Sequence, residues 1–404
     1  MNGGMKGNMD KNMKVPSTSG QAIFPFAALV GQERMKAALL ANAVDPTIGG
    51  VLIRGEKGTG KTTIVRALTG LLPHIEVVEG CPYRCDPSDP NTLHDECREK
   101  IAAGAAKPKE IPIPLVELPL NATEERVAGT IHLEETLRTG KRHFEPGLLA
   151  SANRGILYID EVNLLEDHLV DLILDAAATG IHRVEREGFS LVHSSRFILI
   201  GTMNPEEGEL RPQFIDRFGL CTSIRGVQAA EERKDIARRR LEFEQDPDFF
   251  LKKWEADQVE LRRKIAEARA RLREVTVPEE LWDMVTSFST RAGVQGHRSD
   301  IVMVKTAAAF AALNGRDTVI AEDIREAAKL ALPHRIAGAA DDTPESSSEQ
   351  LDQLIGPNRE GAVEDFDSER GISTDSDDVE SMQVPGSAAA GSIVFDFLKK
   401  KSTP

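Results

Sequence analysis

The stretch VLIRGEKGTGKTTIVRALTG, residues 51–70, decides how the rest of the chain is read. A short β-branched run, VLIR, leads into Gly55, Glu56, Lys57, Gly58, Thr59, Gly60, Lys61 and Thr62. These eight residues fit the pattern G-x-x-x-x-G-K-[ST], and a helical stretch containing Thr63 follows, the context that this phosphate-binding loop requires. Its glycines let consecutive backbone N–H groups curl around phosphates, and the following helix points its positive end at them. Lys61 is expected to reach the β- and γ-phosphates and Thr62 to ligate Mg²⁺, so the stretch predicts a site for ATP and Mg²⁺.

Hydrolysis needs acidic groups beside the phosphates, and ILYIDE (156–161) brings them at the end of an apolar run. Asp160 is expected to hold Mg²⁺ through water, and Glu161 to take a proton from the attacking water. A second apolar run, FILIGTMNP (197–205), ends in Asn204, whose amide could orient that water. Taken alone, Asn followed by Pro is a turn signal.

Outward from these motifs, short β-branched runs alternate with helical stretches from Phe24 to about Gly226, which predicts βαβ units and a parallel sheet. The runs taken as strands are 51–55, 75–80 (IEVVEG), 156–161 and 197–202. Lys61 and Asp160 are far enough apart to imply an inserted region, and VEREG-FSLVH (184–193) reads as a hairpin turning at Glu187 and Gly188. From about Ala229 to His334 the pattern is helical only. A long exposed helix is expected over 250–274, then helices near 278–291, 297–314 and 321–332.

The fold class expected is therefore α/β, a P-loop ATPase core followed by a small all-α lid domain. The boundaries read from composition are a disordered leader over 1–22, the core over 23–227, the lid over 228–336 and a disordered acidic tail over 337–404. Residues 391–401, GSIVFDFLKKK, regain an alternating pattern that fits a strand, a docking peptide or a frayed end.

The net charge of -15 is concentrated in the tail, where residues 341–380 hold fourteen carboxylates against Arg359 and Arg370. The remainder is nearly balanced and carries no broad basic face, so nucleic acid is not an expected partner. No run is apolar enough for a membrane span, and the lysine-containing start lacks the apolar segment of a signal peptide. A cytoplasmic location is the expectation.

Three stretches resemble one family over and above the generic motifs: 121–180 around RVAGTIHLEETLRTGKRHFEPGLLASANRGILYIDEVNLL, 184–197 (VEREGFSLVHSSRF) and 201–220 (GTMNPEEGELRPQFIDRFGL). Together they resemble the I subunit of magnesium chelatase, an AAA+ ATPase related to those of cobalt chelatases, and the resemblance spans roughly residues 24–335. It implies a ring, expected to be a hexamer, working with a D-type AAA+ subunit that carries an integrin-type domain and with a catalytic H-type subunit. The reaction implied is ATP-driven insertion of a divalent metal, Mg²⁺ or Co²⁺, into a tetrapyrrole. By the same resemblance, Arg217 is the arginine finger entering the neighbour's site, Arg298 is the second sensor arginine, and Val30, Gly31 and Gln32 line the adenine pocket. The ordinary reading of Arg217 is an ion pair with Asp216 or another surface acid. The acidic tail resembles the linker that D subunits carry. A MoxR-type AAA+ chaperone would share the P-loop, Asp160, Glu161 and the arginines, whereas a non-catalytic ring member would be expected to lose one of the acidic pair, which is intact here.

Four cysteines in a chain of 404 residues do not make a disulfide framework. Cys81, Cys85, His94 and Cys97 are spaced as C-x₃-C-x₈-H-x₂-C in a Pro- and Asp-rich segment. Such ligands could hold Zn²⁺, act in redox chemistry or remain free thiols.

Overall fold

The computed structural model describes residues 22–56, 58–131, 138, 144–186, 189–224, 226–227 and 229–336. The expectations for the leader, the acidic tail, Lys57 and the turn at Glu187 and Gly188 fall outside these residues.

Five strands form the central sheet: β1 (Val51–Gly55), β2 (Leu115–Leu118), β3 (Ile156–Ile159), β4 (Ile198–Met203) and β5 (Leu220–Ile224). Their order is β5-β1-β4-β3-β2, and every pairing is parallel. Strands β3 and β4 are buried at every position, as their unbroken apolar runs dictate. Alternation along β1 sends Val51 and Ile53 into one apolar cluster and Leu52 into another, so the sheet has a core on each face.

One expected strand lies elsewhere. Ile75–Val78 pairs antiparallel with Pro108–Ile111 in a separate two-stranded sheet. Its Glu76 is exposed and Ile75 only half-buried, while Val77 and Val78 are buried, so only the second half of the run is covered, unlike a strand lying between two helical layers. Two sheet members were missing from the expected set. β2 carries Glu117, which pairs with Arg66 at 3.0 Å, and β5 carries exposed Ser223. Both are outer strands, where polar residues are tolerated and blur the apolar signal.

Helices α1 (Glu33–Val44) and α2 (Lys61–Leu71) pack in the first core, and α3 (Asp167–Thr179) packs in the second. Between α2 and β3 lies the inserted region, which includes the Ile75–Val78 ladder and the short helix Asp95–Ala102. The predicted hairpin is present as Ile181–Arg186 against Phe189–Ser194, with His182 opposite His193.

The lid consists of α4 (Ala230–Gln245), α5 (Pro247–Arg271), α6 (Glu279–Arg291), α7 (Arg298–Leu313) and α8 (Ala321–Ala331). Asp246 caps α5 by accepting from the Phe249 N–H at 3.0 Å. α5 is exposed on one side only: Phe250, Trp254, Ile265 and Ala268 form a buried stripe at helical spacing. Ile265 and Ala268 join the cluster containing α1 and the sheet, so lid and core share apolar packing. Polar ties reinforce the contact. Arg262 donates to the Gly70 and Leu71 carbonyls closing α2, Arg269 to that of Ala43, and Arg335 to those of Phe218 and Gly219.

Candidate functional site

The phosphate loop leaves the end of β1 between its neighbours β4 and β5. Gly55 sits so close to β5 that an added Cβ would meet the Ile224 carbonyl oxygen at 2.6 Å, which accounts for glycine at this exit. Gly60 has φ 82°, a left-handed value, and a Cβ there would face open space; the constraint is conformational. Gly60 caps α2 without a side-chain hydrogen bond, and the first turn of the helix contains no acid. That end is electrostatically suited to an anion.

Lys61 is buried and its Nζ donates to the Gly55 carbonyl at 2.5 Å. Gln32, itself left-handed at φ 57°, reaches the loop by donating from Nε2 to the Thr59 carbonyl at 3.4 Å. Gly31 precedes it at φ 67°. The Val30, Gly31 and Gln32 segment is therefore brought to the phosphate loop through Gln32.

The acidic end of β3 is joined to the loop by hydroxyls. Thr62 Oγ1 lies 3.2 Å from the Tyr158 hydroxyl, which donates to Asp160 Oδ1 at 2.9 Å. Asp160 Oδ1 also accepts from Thr202 Oγ1 at 2.6 Å. With its proton committed to Asp160, Thr202 accepts the Glu161 N–H at 3.0 Å. Glu161 is left-handed, at φ 57°, a conformation that costs a non-glycine residue about 1–3 kcal/mol and here coincides with a hydrogen-bonded turn. Burial, with the nearby Asp160 carboxylate, pushes the Tyr158 hydroxyl above its ordinary range, so it remains a donor.

Tyr158 and Thr202 were not among the residues expected from sequence. The available signal was strand periodicity: Tyr158 lies two residues before Asp160 and shares its face. Thr202 continues the β3–β4 register, in which Ile200 faces Tyr158, to the position beside Asp160.

Asn204 is buried at the end of β4, and its side chain accepts the Glu206 N–H at 3.3 Å, opening a tight turn. Arg217 is not paired with Asp216. Its Nη1 sits 3.0 Å from Asp171 and 2.9 Å from Asp175 on α3, while Asp216 takes Arg335 at 2.9 Å. Arg298 is half-buried at the first residue of α7; the Arg335 guanidinium is lowered chiefly by its own burial, and the charge of Arg298 adds to that lowering. Thus Gln32, the phosphate loop, Asp160, Glu161 and Thr202 are linked by hydrogen bonds, whereas Arg217 is held on the surface of α3. No described helix is long and apolar enough to cross a membrane.

Residues 47–203 match the family model described as an AAA domain, and residues 284–354 match that described as an AAA lid domain. The chain is 50% identical over 335 residues to the magnesium-chelatase subunit ChlI homolog of Methanocaldococcus jannaschii, covering 83% of this chain and 91% of that protein. The chain belongs to the magnesium-chelatase I-subunit family. Identity to the magnesium-chelatase subunit ChlI of Nephroselmis olivacea is 52% over 323 residues, 79% of this chain and 91% of the relative. Among solved structures it is 43% identical, at a TM-score of 0.49, to a chain from a reconstruction of the complex between BchI and BchD of magnesium chelatase. That match covers 82% of this chain and 100% of the other. Family membership makes the protein an AAA ATPase of the chelatase type, with an α/β core and a helical lid.

Proposed function

We propose that ATP binds between adjacent copies of this chain in a ring, expected to be a hexamer, and that its hydrolysis drives a divalent metal, Mg²⁺ or Co²⁺, into a tetrapyrrole held on another subunit. The observation that carries this reading is the hydroxyl chain from Thr62 through Tyr158, Asp160 and Thr202 to Glu161. The open, left-handed glycines and the uncapped start of α2 fit a triphosphate, and the Thr62 hydroxyl and Asp160 carboxylate, linked by Tyr158, fit its Mg²⁺. Bound Mg²⁺ would neutralise charge on the β- and γ-phosphates.

Each residue then has a stated task. Gly55, Glu56, Lys57, Gly58, Thr59, Gly60 and Thr63 form the cradle, with Lys61 as its point charge. Val30, Gly31 and Gln32 take the adenine side. Glu161 receives the proton of the attacking water, and Asn204 orients that water. Arg217 of one copy reaches the γ-phosphate of the next. Leaving Asp171 and Asp175 costs it little, because exposed ion pairs are worth about 0.2–1 kcal/mol each. Arg298, at the start of a lid helix, couples lid angle to nucleotide state.

In this reading residues 23–227 are the ATPase core and 228–336 the lid, and the rearrangement passes to a D-type subunit and a catalytic H-type subunit. The test is reconstitution with both partner types, following metallation of the macrocycle with Glu161→Gln. Loss of both ATP hydrolysis and metallation is expected. Metallation at the wild-type rate would refute the motor, and loss of hydrolysis alone would point to a chaperone role.

A further inference from the structure

The inserted region holds a group of side chains that the nucleotide site does not use. Cys81, Cys85, His94 and Cys97 each offer one ligand atom, and all four atoms lie within 4.8 Å of one another. We propose that these four residues bind one Zn²⁺, which pins the inserted segment against the hairpin Ile181–Arg186 and Phe189–Ser194.

The geometry is that of a compact mononuclear site. Zn–S bonds of about 2.3 Å and Zn–N bonds of about 2.0–2.1 Å in a tetrahedron separate ligand atoms by roughly 3.5–3.8 Å. His94 Nδ1 is 3.2 Å from Cys85 Sγ and 3.7 Å from Cys81 Sγ. The other ring nitrogen, Nε2, faces the Glu96 carboxylate at 3.9 Å. A carboxylate behind a ligating histidine fixes the ring and raises its basicity. The His94 backbone N–H points at Cys85 Sγ at 3.5 Å, a donor suited to a thiolate.

The backbone is shaped to gather the ligands. Left-handed Arg84, at φ 49°, and the Arg84 N–H to Cys81 carbonyl bond of 3.3 Å turn the chain so that Cys85 returns to Cys81. Cys97 is fully buried in the first turn of Asp95–Ala102. Apart from the cysteines, the buried core here is Val78, Tyr83, Leu93 and Ala150, with Ile101, Ala106 and Phe144 partly buried against it, a small apolar group. Small units of this kind are commonly stapled by metal. Three thiolates and an imidazole select Zn²⁺ over the hard Mg²⁺, and four protein ligands leave no open position, so the role is structural.

What the ion holds in place follows from the neighbours of His94. Tyr83 lies between the His94 ring at 4.7 Å and the His193 ring of the hairpin at 5.0 Å. Ser194 Oγ donates to the Thr92 carbonyl at 3.3 Å, and Asn153 Nδ2 to that of Tyr83 at 2.6 Å. Asn153 is three residues before β3, the strand that carries Asp160 and Glu161.

The test uses the full chain produced with zinc available. Elemental analysis should find about one Zn²⁺ per chain, retained by Cys221→Ser, whose thiol lies in β5, and lowered at least about fivefold by Cys85→Ser and Cys97→Ser. Because those variants could misfold, the wild-type protein is also stripped and reloaded with Co²⁺. Thiolate-to-cobalt charge transfer and tetrahedral d–d bands are expected. Folded wild-type protein that lacks zinc and gives no such bands would overturn the proposal. So would a Cys81–Cys85 disulfide, bound iron in place of zinc, or zinc content unchanged in both ligand variants.

Discussion

Replacing Thr202 by Val removes one hydroxyl while keeping the side chain's shape, at a fully buried position. That hydroxyl makes two bonds, donating to Asp160 at 2.6 Å and accepting from the Glu161 N–H at 3.0 Å. A hydrogen bond to a charged group contributes about 1.5–3 kcal/mol, and a stranded N–H costs about 1–3 kcal/mol. The two effects overlap on one short turn, so a local loss of about 2–4 kcal/mol is a reasonable sum for partly coupled neighbours. The turn at Glu161 is already in a costly left-handed conformation, so the loss falls on the carboxylate that must face the water. If about half of it is felt in the transition state, kcat for ATP hydrolysis falls roughly 5–30-fold, at about 1.4 kcal/mol per tenfold. Affinity for a non-hydrolysable ATP analogue should stay within about threefold, because Thr202 contacts neither the phosphate loop nor Gln32 through these bonds. Thr202→Ser retains the hydroxyl and should hydrolyse ATP within about threefold of wild type. Steady-state hydrolysis by the assembled ring is the assay. A Val variant as fast as wild type, or a Ser variant as slow as Val, would show that the Thr202 hydroxyl does not hold Glu161 in its working position.

Tyr158→Phe should weaken the Mg²⁺ dependence of hydrolysis about tenfold, within the range for loss of a group that supports a metal ligand, while binding of metal-free nucleotide is unchanged; an unaltered Mg²⁺ titration would count against the hydroxyl chain. His182 is held down to about 4 by burial and by His193, and burial likewise lowers His193 and His334. Unfolded histidine titrates near 6.5, so below that pH the unfolded chain takes up protons that the folded one refuses. Stability should therefore hold above about pH 7, decline as pH falls from about 6.5 towards 5, and decline less in His182→Asn; urea midpoints flat over that interval would contradict this.

Much of the candidate nucleotide site was legible because Asp160, Glu161 and Asn204 directly follow strands buried on both faces, where 156–159 and 198–203 read as unbroken apolar runs. The edges of the sheet were not. Glu117 in β2 and Ser223 in β5 interrupt the pattern, while Val77 and Val78 gave Ile75–Val78 the look of a core strand although Glu76 faces water. Tyr158 and Thr202 act through hydroxyls that meet only when β3 and β4 are in register, which spacing along the chain does not reveal. The partners of Arg217 were hidden for the same reason, since Asp171 and Asp175 lie on a helix distant in sequence. For the cysteine group, spacing named the four residues, but their convergence depends on the turn at Arg84 and the helix that carries Cys97.

In the proposed ring, each nucleotide site is completed by the neighbouring copy. The direct measurement is ATP hydrolysis by rings assembled from an equal mixture of Glu161→Gln and Arg217→Ala chains. Each variant alone should bind ATP and hydrolyse it at least about 10³-fold more slowly than wild type. In mixed rings an intact Glu161 meets an intact Arg217 at about a quarter of the interfaces, so roughly a quarter of the wild-type rate should return if the interfaces act independently. A mixture no more active than its separate components, or an Arg217→Ala ring that hydrolyses ATP like wild type, would contradict a shared site.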